Sequence, residues 1–278
     1  NGLFMNFNGT AGIFRREAIE SCGGWEHDTL TEDMDLSYRM QLCGWEALFV
    51  PELDVPAEIP EDINAFKTQQ FRWAKGSIQT ARKIIPRLWK PHIPLHKRLF
   101  AIIHLTQYTV HPVMLLLVLL NLPIVFIFSL PLSPAAFTAL FFPVFVAATG
   151  PSCMYLVAQA HGGQPLWKKI FLIPPMILIG TGLAVNNGRA VLEALLKTTT
   201  PFHRTPKQGE KKKPSYRATR DATAVVELVF AAYSIITMIF FIRFKNLLIS
   251  PFLVLYASGF LFVGLLSIVH HFRPSLIY

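Results

Sequence analysis

The chain has 278 residues, with 26 Lys and Arg against 17 Asp and Glu, a net charge of +9; 52% of its residues are apolar and only 15% are charged. Soluble domains carry about 25% charged residues, so an ordinary soluble globule is excluded, and the apolar excess excludes a disordered chain. Three cysteines, Cys22, Cys43 and Cys153, are too few and too scattered to read as a disulfide framework or a zinc site. The chain has no initiator Met and opens in mid-pattern on Asn1-Gly2-Leu3-Phe4. It is expected to be the C-terminal part of something longer.

In chain order, residues 6–14 alternate loosely around Gly9 and Gly12 and predict a short strand entering a turn. Residues 15–21 predict a short helix, closed by Cys22-Gly23-Gly24, because glycine suits a helix C-terminus. Thr31-Glu32-Asp33 precedes a helix over 34–43, with Leu36 and Met40 on one face. Thr31 is a favourable N-cap, and acids in the first turn complement the helix dipole. Gly44 ends that helix; residues 45–50 predict a strand and 54–60 an extended segment. Pro60-Glu61-Asp62 then opens a helix reaching about Ile85. Gln69, Arg72, Trp73 and Gly76 fall at i, i+3, i+4 and i+7 and share one face of it. Farther along, Lys75, Arg82 and Lys83 interleave with Ile78, Ile84 and Ile85, a pattern suited to a helix on an anionic membrane surface. Residues 1–98 are thus expected to form a cytoplasmic domain with an interfacial helix.

From residue 99 to the end the pattern changes. Thirteen of the 17 acids lie in the first 62 residues, and residues 99–167 hold no Asp, Glu, Lys or Arg. A membrane-crossing helix needs roughly 20 mostly apolar residues. Four spans are expected, near 107–130, 135–160, 223–242 and 247–269. Residues 170–185 are short for a span and carry Pro174-Pro175, which interrupts a helix. The segment 167–197 is therefore read as interfacial or re-entrant, with a crossing as the alternative. Basic residues crowd both 75–98 and 204–220, and positive loops stay cytoplasmic, so an even number of crossings should separate them. The Arg243/Lys245 turn then falls outside.

Singly, each motif has a plain explanation. The acids of Thr31-Glu32-Asp33 suit a helix start, Asn8-Gly9-Thr10 suits a turn, Trp73 suits an interfacial anchor, and Phe202-x-Arg204-Thr205-Pro206-Lys207 suits a basic juxtamembrane loop. Their order and spacing, with a membrane region around the last, carry more. Phe7-Asn8-Gly9-Thr10-Ala11-Gly12-Ile13-Phe14-Arg15, Gly23-Gly24-Trp25, Thr31-Glu32-Asp33-Met34-Asp35-Leu36, Gly44-Trp45, Gln69-Gln70-Phe71-Arg72-Trp73-Ala74-Lys75-Gly76 and the 202–207 segment together resemble the C-terminal half of a membrane-embedded family 2 glycosyltransferase. The likeness is to the cellulose synthase type, with details nearest its glucan and mannan synthase-like branch.

The resemblance implies the C-terminal part of an α/β glycosyltransferase domain of the GT-A type, followed by an all-α transmembrane region. It implies an inverting hexosyltransferase that adds sugars from a nucleotide-sugar donor to a growing polysaccharide. A non-processive enzyme acting on a membrane lipid is the alternative, and a transporter without chemistry is a third reading from another class. The matching positions make Asp33 the general base and Glu32 its supporting neighbour. Gln69, Arg72 and Trp73 would serve the acceptor and the diphosphate, and Asn8, Gly9 and Thr10 the acceptor's terminal sugar. Phe202, Thr205 and Lys207 would belong to a gating loop, within a cytoplasmic segment 198–220, that covers the donor. Arg204 departs from the Val usual in cellulose synthases. A divalent metal, Mg or Mn, is expected, with its ligands in the half that would precede residue 1. Asp33-x-Asp35 lies inside the base motif and is not read as the metal site, so no metal ligand is assigned in this chain, and the chain alone is expected to be inactive. The expected partners are a UDP-sugar in preference to a GDP-sugar, a glycan or lipid acceptor and membrane lipids, with no nucleic acid. The expected location is a plasma or Golgi-type membrane, with the catalytic side cytoplasmic.

Overall fold

The computed structural model describes all residues except 1, 51, 54, 61, 128–133, 162–165, 201–221, 245–249 and 273–278. Its helices are α1 (Arg16–Ser21), α2 (Glu32–Leu42), α3 (Ile63–Ile84), α4 (Leu95–Thr106), α5 (Val110–Ile127), α6 (Pro134–His161), α7 (Leu166–Ile170), α8 (Ile173–Gly182), α9 (Ala184–Leu195), α10 (Thr223–Arg243) and α11 (Ser250–Phe272). They fall into two compact units, one of Asn1–Leu115, Ala184–Asp221 and Ser267–Tyr278, the other of Leu116–Leu183 and Ala222–Leu266.

No strand occurs among the described residues, and the expected strands at 6–14 and 45–50 are irregular chain. A strand exists only through a ladder of hydrogen bonds to a neighbour. Around 48–50 the side chains of Leu48, Phe49 and Val50 are exposed, and the described residues offer them no partner strand. The α part of the expected α/β fold is therefore present here without the β part.

The first unit is built on α3. Asp62 caps it, its Oδ1 accepting the Ala65 N–H at 2.8 Å. The far end of α11 completes the cap, since the Ile63 N–H donates to His270 Nδ1 and Asn64 Nδ2 donates to the Ser267 carbonyl. One side of α3 joins α2 and α4 in a core of Met34, Tyr38, Leu42, Ala81, Ile84, Leu88, Ala101 and Leu105. Polar groups within it are paired: Tyr38 Oη meets His104 Nδ1 at 2.7 Å, and Ser77 Oγ donates to the Leu105 carbonyl. Another side packs along α9, where Ile78 meets Val191 and Ala194. The buried Asn186 donates to the Lys67 carbonyl, and Asn187 meets His111 Nε2 at 3.1 Å.

The basic side chains of α3 have partners within the unit. Lys75 is fully buried and its Nζ lies 2.9 Å from Glu193 Oε2. The exposed Arg82 donates to the Ala194 carbonyl, and the half-buried Lys83 turns toward carboxylates of its own unit.

Three helical stretches among the described residues are long and apolar enough to cross a membrane: Leu95–Phe126, Thr223–Arg243 and Ser250–Phe272. The first begins at Leu95, before the 107–130 span expected from composition, and its opening part holds Ala101 and Leu105, which pack in the core with α2 and α3. In the second unit small residues set the spacing. A side chain at Gly182 would come within 2.4 Å of the Gly259 carbonyl, and one at Gly259 within 2.9 Å of the Leu178 carbonyl. Close approach of this kind is how helices pack where lipid offers no hydrophobic drive. Hydroxyls in α10 bond back to their own helix, Ser234 to the Phe230 carbonyl and Thr237 to the Tyr233 carbonyl, which satisfies them in apolar surroundings. Pro174 and Pro175 stand in the first turn of α8. There the missing N–H costs nothing, so they start a helix after the turn at 171–172.

Gly76 sets the distance between α3 and the start of α2. A Cβ there would lie 2.5 Å from Thr31 Cγ2 and 2.8 Å from the Thr31 backbone nitrogen. Overpacking costs about 1–3 kcal/mol, and alanine's helix preference over glycine returns about 1 kcal/mol. Gly76→Ala should therefore lower the thermal midpoint of the full chain in detergent, and an unchanged midpoint would contradict this contact.

Candidate active site

The site is assembled at the first turn of α2. Thr31 stands at the N-cap but makes no side-chain cap bond. Its Oγ1 instead meets Thr80 Oγ1 of α3 at 3.2 Å, and the neighbouring Leu30 N–H donates to Gln79 Oε1 at 2.9 Å. A tertiary partner thus replaces the local cap, and the start of α2 is held by α3.

Asp33 follows directly. Its Oδ1 accepts the Met34 N–H at 2.8 Å. The segment Asn8-Gly9-Thr10 lies against it: a Cβ on Gly9 would come within 2.8 Å of Asp33 Oδ2. Gly9 has φ of +75°, a left-handed conformation that glycine adopts without strain. Both facts call for glycine. Burial pushes the Asp33 carboxyl above the ordinary carboxylate range, Glu32 adds to the shift, and Arg72 opposes it. Burial thus outweighs the Met34 N–H and Arg72, which both act to lower it. The exposed Glu32 acts on Asp33 as a like charge.

Arg72 belongs to the face of α3 that carries Gln69, Trp73 and Gly76. Gly76 touches Thr31, so that face is turned toward the start of α2. Arg72 and Gln69 are half-buried, while Trp73 keeps 41% of its surface exposed. Gly9, Asp33 and Arg72 are thus brought together, with Trp73 presenting an open indole one residue away. Phe202, Thr205 and Lys207 lie outside the described residues.

Asp35, two residues on, is wholly buried. Its Oδ2 accepts from Arg39 Nε at 2.8 Å and from Lys83 Nζ at 3.0 Å. Lys83 also reaches Glu26 Oε2 at 2.5 Å and Asp28 Oδ1 at 2.9 Å. These contacts raise the Lys83 ammonium against the desolvation that would lower it, and the bond from Lys83 lowers Glu26. Oxygens of Glu26, Asp28 and Asp35 lie within 4.8 Å of one another, close enough for a metal ion. The donor set does not fit one, because the Lys83 ammonium already bonds all three carboxylates.

Sequence reasoning missed a second cluster. Glu193 binds Lys75 at 2.9 Å and Arg189 at 2.8 Å, and Lys75 Nζ also donates to Thr200 Oγ1. Lys75 Nζ and Arg189 Cζ both lie near the Phe71 ring, at 5.8 and 5.5 Å from its centroid. The chain just before residue 201 is thereby tied to the helix bearing Arg72 and Trp73. The one signal in the sequence was a lone carboxylate, since none occurs between Asp62 and Glu193.

A carboxylate, an arginine and an open indole thus stand near one another beside Gly9. Residues 2–151 match the profile described as "Glycosyl transferase family group 2". The chain belongs to the family 2 glycosyltransferases, of the cellulose synthase-like type. It is 33% identical over 197 residues to "Probable glucomannan 4-beta-mannosyltransferase 7" of Oryza sativa subsp. japonica, covering 70% of this chain and 32% of the relative. It is 37% identical over 123 residues to "Probable glucomannan 4-beta-mannosyltransferase 15" of Arabidopsis thaliana, covering 40% and 23%. A further Arabidopsis thaliana relative, "Probable glucomannan 4-beta-mannosyltransferase 10", is 40% identical over 100 residues, covering 36% and 18%. The chain thus spans about a third or less of these relatives' lengths. No solved structure gives a significant match.

Breaking a fully buried ion pair costs about 3–5 kcal/mol, but Glu26 and Asp28 are partly exposed and Asp35 keeps Arg39. Lys83→Met should therefore lower the unfolding free energy by less than that amount, and treating the wild-type chain with a chelator should leave its unfolding curve unchanged. A chelator-induced shift would mean that a metal, not Lys83, holds these carboxylates.

Proposed function

We propose that this chain supplies the acceptor side of an inverting glycosyltransferase site, transferring a hexosyl unit from a nucleotide-sugar to a growing polysaccharide at a membrane. The observation that supports the reading is Asp33 set against Gly9, with the Arg72 charge near enough to lower its pKa. In direct displacement, the acceptor hydroxyl attacks the sugar's anomeric carbon from the face opposite the leaving nucleotide. One carboxylate within hydrogen-bond reach of that hydroxyl must take its proton, and Asp33 has this role. Its elevated pKa makes it a stronger base than an exposed aspartate. Arg72 faces the negative charge that builds on the departing diphosphate. Gln69 and Trp73 hold the acceptor, the indole offering a flat apolar surface for a sugar ring. Asn8 and Thr10 flank the terminal sugar, and Gly9 leaves it room.

The relatives' names point to a mannosyl donor and a glucomannan product, which favours a mannosyl nucleotide over the UDP-sugar expected from the sequence. On the family resemblance, Phe202, Thr205 and Lys207 are assigned a lid role over the donor. Closure of this kind excludes water and completes a site. The apolar helices hold the site at the membrane, with the basic loops on its cytoplasmic side.

In the complete enzyme, GDP-mannose and UDP-glucose would be offered separately with a glycan acceptor, and product length measured. Polymer formed from GDP-mannose is expected. A lipid bearing one sugar would overturn the polysaccharide reading. Asp33→Asn should lower transfer by about 10²–10⁴-fold with donor affinity kept within a few-fold. Because the Asp33 carboxyl is raised, at a pH between its unfolded and folded values the folded chain holds a proton that the unfolded chain has lost. Stability from that proton is present at acid pH and declines as pH rises through the raised value. Asp33→Asn should therefore melt no earlier than wild type at neutral pH. Together, full transfer and early melting would remove Asp33 from this role.

A further inference from the structure

Cys22 and Cys43 stand far apart in sequence, but each closes a helix. The Cys22 N–H caps α1 through the Ile19 carbonyl, and the Cys43 N–H caps α2 through the Arg39 carbonyl at 3.0 Å. The two helices pack through Ala18, Leu36 and Met40, with Cys22 at the edge of that cluster. Arg39, 3% exposed, fixes the approach: its Nη1 donates to the Cys22 carbonyl at 2.6 Å and its Nη2 to the Gly24 carbonyl at 2.8 Å. Arg39 and Cys43 are one turn apart on the same face of α2, so the arginine that grips Cys22 also aligns it with Cys43. Both cysteines line one cavity of about 280 Å³, beside Lys90. Both are free thiols, and Cys43 is exposed.

We propose that Cys22 and Cys43 are a redox-active pair that closes into a reversible disulfide, joining the C-terminal ends of α1 and α2. The oxidant is a low-molecular-weight disulfide such as oxidised glutathione. One cysteine thiolate attacks a glutathione sulfur and expels the first glutathione thiol. The second cysteine then displaces the other glutathione from the mixed disulfide. The cysteine pair gives up two protons and two electrons, and one glutathione disulfide becomes two glutathione thiols. The Cys43 thiol is raised by burial and by its hydrogen bond to Cys22, while Lys90 and Arg39 pull it down. Only the thiolate attacks, so closure runs faster as pH rises. The ring so formed encloses residues 22–43, among them Glu26, Asp28 and the base candidate Asp33. A cross-link over such a loop restricts the unfolded chain more than the folded one. In a reducing compartment a bond of this type is transient and acts as a sensor. The inference rests on the packing of α1 against α2 and is independent of the catalytic reading.

The test uses the full chain in detergent, equilibrated across a glutathione redox series, then alkylated and mapped by peptide mass. In oxidising buffer a Cys22–Cys43 cross-linked peptide is expected, with Cys153 alkylated, and the thermal midpoint should rise by several degrees and fall again with dithiothreitol. Cys153→Ser should keep the shift, and Cys22→Ser or Cys43→Ser should lose it. The peptide map of wild type decides the matter even where a serine variant folds poorly. Alkylation of both Cys22 and Cys43 across the whole series would overturn the proposal, as would a persistent glutathione adduct on either one or a cross-link to Cys153.

Discussion

A wholly buried carboxylate is costly unless its partners are arranged beforehand, and Asp35 imposes that condition on the first unit. It needs Arg39 from its own helix and Lys83 from α3. Arg39 in turn fixes the carbonyls of Cys22 and Gly24. Lys83 gathers Glu26 and Asp28 from the loop before α2. One charge thus dictates how α1, the 22–30 loop, α2 and α3 meet.

Asp33 and Asp35 show how two neighbouring carboxylates acquire different chemistry. A helix turns about 100° per residue, so two positions apart they face different surroundings. Asp35 looks into a cage of cations and is structural. Asp33 looks toward Gly9 and the half-open face of α3, where one arginine only partly offsets its desolvation. A carboxylate spared from the cage keeps its basicity for an incoming hydroxyl. The cage holds the backbone that positions it, and the Gly76–Thr31 contact sets its distance from Arg72 and Trp73.

The same helix ties this corner to distant parts of the chain within the first unit. α3 takes its N-terminal cap from the end of α11 and packs along α9, and its Lys75 joins Glu193 to Thr200. The spacing of its cations does not reveal these partners, because the carboxylates and carbonyls that meet them come from residues far away in the chain.

The sequence alone determined the family, because the order of Asn8-Gly9-Thr10, Thr31-Glu32-Asp33 and Gln69-x-x-Arg72-Trp73 is a linear property. Local properties were legible too: α1, α2 and α3 lie where periodicity, acids and glycines place them, and the apolar composition of residues 223–242 and 247–269 falls on α10 and α11. Only the tertiary structure decided which charges are paired. Thr31 gave up its cap for Thr80, Lys75 and Lys83 found carboxylate partners, and the Asp33 carboxyl at a helix start was raised by burial. It also brought together Cys22 and Cys43, which spacing alone called scattered. The physical reason is common to all four. Desolvation and ion pairing depend on what lies within a few ångströms in space, and that neighbourhood is set by packing, not by position along the chain.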